Sequence, residues 1–380
     1  MQNCIGVITS SGSQDSLQHL VLNRPLYMLP FGGRYRIIDF ALSQLVNHET
    51  RKVALYAGKM LRSAMDHIGN GRPWELNRRV NGLYIFPPSY NDEFGNYSEV
   101  VNMYASMPFY ENAKEENLVF LNPMVISKVD LSDAYESFLS QDLDCMMVYE
   151  HVSDEEKKYL RYDRLTRNDE GRIEALGINL GTEKEVNLSL GICFIKKRIF
   201  MDLIKHAMEL GNYVSFKQVL SAALKYLKAG SYAYDGTAMI IRNVKNYYDA
   251  NMALLNRDVY EEIFYKGGNI FTKSKDEPST QYTKDSNVSD SLVANGCFIE
   301  GEVKNSIIFR GVKIGKNAIV KNSILAQEVV IEDNAVVINA ILDKYCRVES
   351  GTSLIGTPEV PITVEKAQVI RNKMQEEVAG

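Results

Sequence analysis

Apolar residues fall into two regimes along this chain. In the first part, short and nearly unbroken apolar runs occur at 4 to 9 (CIGVIT), 52 to 57 (KVALYA), 118 to 122 (LVFLN), 143 to 149 (LDCMMVY) and 188 to 195 (LSLGICFI). Runs of this length predict buried strands. Between and after them, at 36 to 47, 132 to 140, 198 to 210 and 215 to 228, apolar residues recur at helical spacing. Strands alternating with helices predict an α/β fold around a mostly parallel, Rossmann-like sheet covered on both faces. The first run opens into a small polar loop, Ser10 to Ser16, where such sheets commonly meet a phosphate.

The second regime follows a polar stretch, KSKDEPSTQYTKDSN, which reads as a linker. Beyond it, VSDSLV at 288, VKNSII at 303, VKNSIL at 320 and VINAIL at 337 recur, the last three copies every 17 residues, with IEGEV, IGKNA, IEDNA and VESGT between them. An aliphatic residue roughly every six positions, followed by small or polar residues, predicts a parallel β-helix. The expected organisation is an α/β domain over 1–265, a linker over 266–285, and a hexapeptide-repeat domain with a C-terminal tail over 286–380. Coils leave apolar edges uncovered at their ends, so oligomerisation through this domain is expected. The last stretch, ITVEKAQVIRNKMQEEVAG, reads as a short strand and a polar helical tail.

Composition narrows the classes without choosing one. At 380 residues, 45% apolar and 24% charged, the chain is of ordinary globular type, and its net charge of -5 argues against general nucleic-acid binding. Nowhere do 18 apolar residues run together, and the N-terminus carries no charged targeting region, so neither membrane nor export is indicated. Cys4, Cys145, Cys193, Cys297 and Cys346 lie far apart, which suggests no zinc knuckle or disulfide framework and suits a reducing cytoplasm. The five histidines have no metal-ligand spacing, and all precede the repeats. That excludes the histidine-dependent acyltransferases in which β-helices are also common.

The candidate chemistry centres on Pro30-Phe31-Gly32-Gly33-Arg34-Tyr35-Arg36-Ile37-Ile38-Asp39-Phe40-Ala41-Leu42-Ser43. A glycine turn, two arginines and a helix start suit an anionic sugar or nucleotide phosphate. With Tyr247-Tyr248-Asp249-Ala250-Asn251-Met252-Ala253-Leu254-Leu255 and the repeats, this segment closely resembles the signature of the ADP-glucose pyrophosphorylases (glucose-1-phosphate adenylyltransferases). The resemblance implies a nucleotidyltransferase domain followed by a left-handed β-helix. In that family the glucose 1-phosphate oxygen attacks the α-phosphorus of ATP, which requires cations and magnesium where the phosphates gather.

Against the family's motifs, the positions that carry this chemistry have changed. The arginine of the GGxGxRL loop corresponds to Ser16, beside Asp15, and the lysine before Pro-Ala-Val corresponds to Leu26. The magnesium aspartate of SGDHVYKMDY corresponds to Met124, a poor ligand for a hard cation, and the carboxylate of DVGT to Ile240. The family's sugar-phosphate lysine has no counterpart in Ala175 to Leu180, and GTADA is replaced by residues 96–102. Ser189 and Gly191 survive from the SMG motif as a remnant of the sugar pocket.

Losing one preorganised electrostatic contact costs about 100- to 1000-fold in rate, and here several are missing together. The pattern resembles the GlgD-type, regulatory subunits of this family. That implies little or no activity alone, no metal or cofactor for this chain, and a catalytic GlgC-type partner that holds the magnesium, in a heterotetramer. Self-association in the partner's absence stays open. Arg24 and Arg36 occupy positions that help bind anionic sugar-phosphate effectors in the family, and Gly32, Gly33, Arg34 and Asp39 join them as candidate effector-site residues. Two rival readings stay open. One is an active homomer with a metal site rebuilt from Asp235 or Asp92, and the other is a non-catalytic sugar-phosphate or nucleotide-binding protein without a partner.

Overall fold

A computed structural model of the chain describes residues 1–9, 14–58, 60–88, 98–211 and 214–371, excepting the side chains of Gln14, Asp15, Ser16 and Gln18. It divides into two units, each assembled from separate stretches: Met1–Ser11, Phe40–Ala238 and Lys266–Phe271 form the first, and Gly12–Asp39, Met239–Tyr265 and Thr272–Gly380 the second.

The first unit holds a nine-stranded mixed sheet. Its strands are β1 (Cys4–Ile8), β2 (Lys52–Tyr56), β3 (Leu83–Phe86), β4 (Asn117–Leu121), β5 (Cys145–Ser153), β6 (Asp163–Arg167), β7 (Ile173–Ile178), β8 (Glu185–Lys196) and β9 (Ala229–Ala233). The order is β7-β6-β8-β4-β1-β2-β3, with β5 paired to both β8 and β9. Strands β4, β1, β2 and β3 run parallel, whereas β8 is antiparallel to both β4 and β5. The five apolar runs seen in the sequence lie on β1, β2, β4, β5 and β8. They are buried because helices such as Leu131–Ser140, Lys197–Leu210 and Phe216–Ala223 pack in the layers beside the sheet. Phe120, Phe200 and Phe216 form the aromatic centre of one layer, with ring centroids 4.4 to 5.5 Å apart. The helices begin on side-chain caps where the sequence supplies them: Asp130 accepts from Ser132 and Asp133, and Ser215 with Gln218 makes a reciprocal capping box. Strands β3, β6, β7 and β9 were not anticipated, because they are short, edge-like or polar on one side.

The second unit contains the β-helix. Three parallel sheets, of six, five and five strands, run side by side with each strand paired to its equivalent in the next coil. The 17-residue recurrence is this register: Val303 pairs with Val320 and Val320 with Val337, and Ile308 with Leu325 and Leu325 with Leu342. Their side chains stack as columns in a buried core.

The polar letters of the repeat have equally definite jobs. Asn305, Asn322 and Asn339 turn the corner at φ 47°, 47° and 49°, a left-handed conformation that asparagine tolerates better than branched residues do. The following serine is buried and links coils: Ser306 Oγ accepts the Ser323 N–H at 3.1 Å, and Ser323 Oγ accepts the Ala340 N–H at 3.2 Å. The expected C-terminal strand is present as Ile362–Val364 and Val369–Ile370. The helical tail lies outside the described residues. No helix among those described is long and apolar enough to cross a membrane.

Candidate functional site

Two sets of the anticipated residues take definite places, one in each unit. In the first unit, β4 ends at Leu121 and the chain turns through Asn122 to Met124. The Asn122 N–H donates to the Gly191 carbonyl at 2.9 Å, and the Met124 N–H to Asn122 Oδ1 at 3.0 Å. Gly191 sits at an irregularity of β8 with φ 64°, and a Cβ added there would lie 2.6 Å from Asn122 Cβ. Only glycine allows this approach. Ser189 Oγ accepts the Gly191 N–H at 3.3 Å. The fold thus brings Met124, Asn122, Ser189 and Gly191 together.

What they present is mainly backbone and amide. Met124 is buried and offers a thioether, and among the described residues no three His, Cys, Asp or Glu side chains come together to hold a metal. These residues do not fit a magnesium ion. Ile240 belongs to the second unit, on a two-residue strand, Met239–Ile240. Asp92, Asn96 and Ser10 to Ser13 lie outside the described residues, as does the side chain of Ser16, whose backbone is in a 3-10 helix, Gln14–Val21.

In the second unit the glycine-arginine signature is clasped by the Tyr247 to Leu255 segment. Tyr247 Oη donates to the Pro30 carbonyl at 2.6 Å, the Gly32 N–H donates to Asn251 Oδ1 at 3.1 Å, and Asn251 Nδ2 donates to the Tyr247 carbonyl at 2.9 Å. Gly32 and Gly33 take φ 57° and 81°, and a Cβ on Gly32 would meet Leu254 and Phe264 at 3.1 and 3.2 Å. Within this unit Gly32 therefore has a packing role, and Gly33 supplies the left-handed turn. Asp39 is wholly buried and, as the third residue of the helix Ile37–Asn47, reaches back to accept the Arg36 N–H at the helix start at 2.9 Å. Arg34 is exposed, with its guanidinium 5.3 Å from the Tyr35 ring centre. Leu26 is buried in a short 3-10 helix, Leu26–Met28.

Arg24 and Arg36 converge with two residues that sequence reasoning missed, Asp343 and Lys344 of the β-helix. Arg24 is 4% exposed, and its Nη2 donates to Asp343 Oδ1 at 2.9 Å and Oδ2 at 2.7 Å. Its Nη1 is buried with no acceptor among the described residues, an arrangement that costs about 1–3 kcal/mol unless a partner arrives. Arg36 Nη1 donates to the Met28 carbonyl at 2.6 Å, and burial, then the neighbouring Arg24, bring its pKa down to about 10. Lys344 is brought down to about 7, first by burial and then by Arg36 and Arg24. Three cations crowded into a poorly solvated place are suited to an anion carrying more than one charge.

A signal for Asp343 was available. In the coil register it stands where Phe309 and Ala326 stand in the two preceding turns, both buried and apolar. A carboxylate at an apolar position of a repeat requires a partner.

Taken together, the Rossmann-like sheet, the glycine-arginine clasp and the stacked coils define an α/β protein with a hexapeptide-repeat β-helix domain. The family model for the "GlmU-like, C-terminal hexapeptide" matches residues 278–360. The glycogen biosynthesis protein GlgD of Bacillus subtilis is 34% identical over 96% of both chains, and the GlgD of Geobacillus stearothermophilus is 33% identical over 83% of this chain and 82% of its own. A glucose-1-phosphate adenylyltransferase of Mycoplasma mobile is 29% identical over 83% and 84%. The chain belongs to the GlgD family, a relative of the glucose-1-phosphate adenylyltransferases.

Proposed function

We propose that this chain is a regulatory subunit in glycogen biosynthesis, which modulates a catalytic GlgC-type glucose-1-phosphate adenylyltransferase in a heterotetramer and forms little or no ADP-glucose by itself. The observation that carries this reading is a contrast. Leu26 and Met124, which the resemblance sets at catalytic positions, are buried and uncharged, while Arg24, Arg36 and Lys344 converge on one place in the second unit. A subunit that lacks the groups stabilising a transferring phosphoryl but carries a cluster of cations is equipped to sense an anion. Sugar phosphates are the class proposed for that cluster. Magnesium and the reacting nucleotide belong to the partner.

The test is ADP-glucose synthesis by the purified chain, by the catalytic homologue of the same organism, and by the two co-expressed, each with and without a panel of sugar mono- and bisphosphates. The expected outcome is an inactive chain that raises the homologue's rate or its response to sugar phosphates. Substantial synthesis by the chain alone would overturn the proposal.

A further inference from the structure

Arg24 is served by an anion from its own chain. The cations that face this place are Arg24, Arg36, Lys344 and, further out, Lys275, and the carboxylates acting on them are Asp343 and Asp39, with Tyr247 close by. Asp39 is committed to the Arg36 backbone N–H. Asp343 meets Arg24 through one guanidinium nitrogen only, since both carboxylate oxygens take their bonds from Nη2. Nη1 remains buried without a partner among the described residues. A fork-to-fork pair uses both nitrogens, so the carboxylate balances charge here without satisfying the donors. Asp343 Oδ1 also accepts the N–H of Lys344 at 2.7 Å, which ties it to its own corner of the coil. The coil does not require it, because Phe309 and Ala326 make the equivalent corners.

We propose that Asp343 is a tethered competitor for an anionic ligand: a dianionic phosphate group binds by displacing its carboxylate from Arg24 and by taking Arg24, Arg36 and Lys344 together. This rests on the anion-sensing reading of the same cluster. A tetrahedral oxyanion offers more than two oxygens and two charges, so it reaches both nitrogens of Arg24 where a single carboxylate reaches one. The internal pair keeps the cluster folded when no ligand is bound and lowers ligand affinity by the free energy of breaking it. It also favours dianions over monoanions, which compete with Asp343 on equal terms.

The experiment titrates inorganic phosphate and sulfate into the full chain and its variants by calorimetry and thermal denaturation, with chloride matching the ionic strength. The variants are Asp343→Asn, Asp343→Ala, which installs the residue found at Ala326, and Lys344→Gln. The expected result is that both Asp343 variants bind the dianions roughly tenfold or more tightly than the unaltered chain, as removal of one charge at contact in a poorly solvated site should produce. They should melt lower in chloride and recover with phosphate. If the unaltered chain and the Asp343 variants bind equally while Lys344→Gln weakens both anions, the anion site stands and the competitor falls. If neither the unaltered chain nor the variants bind either anion at high millimolar concentration, both readings fall.

Discussion

The place around Met124 in the first unit and the place around Arg24 in the second solve opposite problems. Around Met124, Asn122, Ser189 and Gly191 keep a close backbone approach, but the local side chain is an apolar thioether. Around Arg24 the charge is dense, with a buried guanidinium, a second arginine and a lysine against Asp343 and, beside Arg36, Asp39. The geometry of the first place serves the sheet, because Gly191 and Asn122 hold β4 to β8. In the second, charge is held at an energetic cost that folding alone does not ask for. A buried ion pair seldom stabilises more than apolar packing would, and apolar packing is what the two preceding coils use at that corner.

The contrast can be broken in several ways. The sharpest test of the proposed reading is catalytic: Met124→Asp should give no measurable ADP-glucose synthesis, because on that reading cations are missing at the Ser16 and Leu26 positions as well and such groups act as a set. Turnover in that variant would show that the first place is one residue from competence. Next is Arg24→Ala, which strands a buried carboxylate and should cost about 3 kcal/mol in urea denaturation, the low end for breaking a buried pair because Arg36 and Lys344 still face it. The double variant with Asp343→Ala should recover most of that loss. Gly191→Ala forces a Cβ against Asn122 at positive φ and should cost about 1–3 kcal/mol, with a lowered melting temperature as the readout. Ser323→Ala, which removes the acceptor of the Ala340 N–H between coils, should cost about 1–3 kcal/mol and serves as a control outside both places.

A further effect is a dependence on pH. Lys344 titrates near 7 in the fold because burial, then Arg36 and Arg24, oppose its charge, while its unperturbed value is 10.5. Between these values the unfolded chain binds more protons, so this group makes stability rise with pH across that window, and the penalty is fully present below it. Asp343 works against the shift, and Lys275 adds to it. Lys344→Met should flatten the stability profile between pH 7 and 10, measured by urea denaturation at fixed ionic strength. Sulfate, which does not titrate there, should be bound with proton uptake near pH 8, visible in calorimetry as a buffer-dependent enthalpy.

Much of this was legible in the chain itself, for reasons that lie in period and local sterics. The 17-residue recurrence dictated the β-helix and its register, because identical coils stack only with equivalents paired. The buried runs dictated the central strands, because a strand covered on both faces has no polar side to show. Strands β6 and β7 are mostly part-exposed, with neither a buried run nor a regular alternation, and so gave no such signal.

What only tertiary structure decided is the company each residue keeps. Arg24 and Asp343 are 319 positions apart, and no local pattern pairs them; the pairing exists because the segment 12–39 folds into the same unit as the coils. Gly32 and Asn251 are likewise joined across the chain, which shows that part of the signature serves packing where its residue types alone suggested a ligand. Periodicity follows from short-range geometry and can be read along a chain. Charge neighbourhoods follow from long-range folding, and their proton affinities exist only once the cations have been brought together and stripped of water.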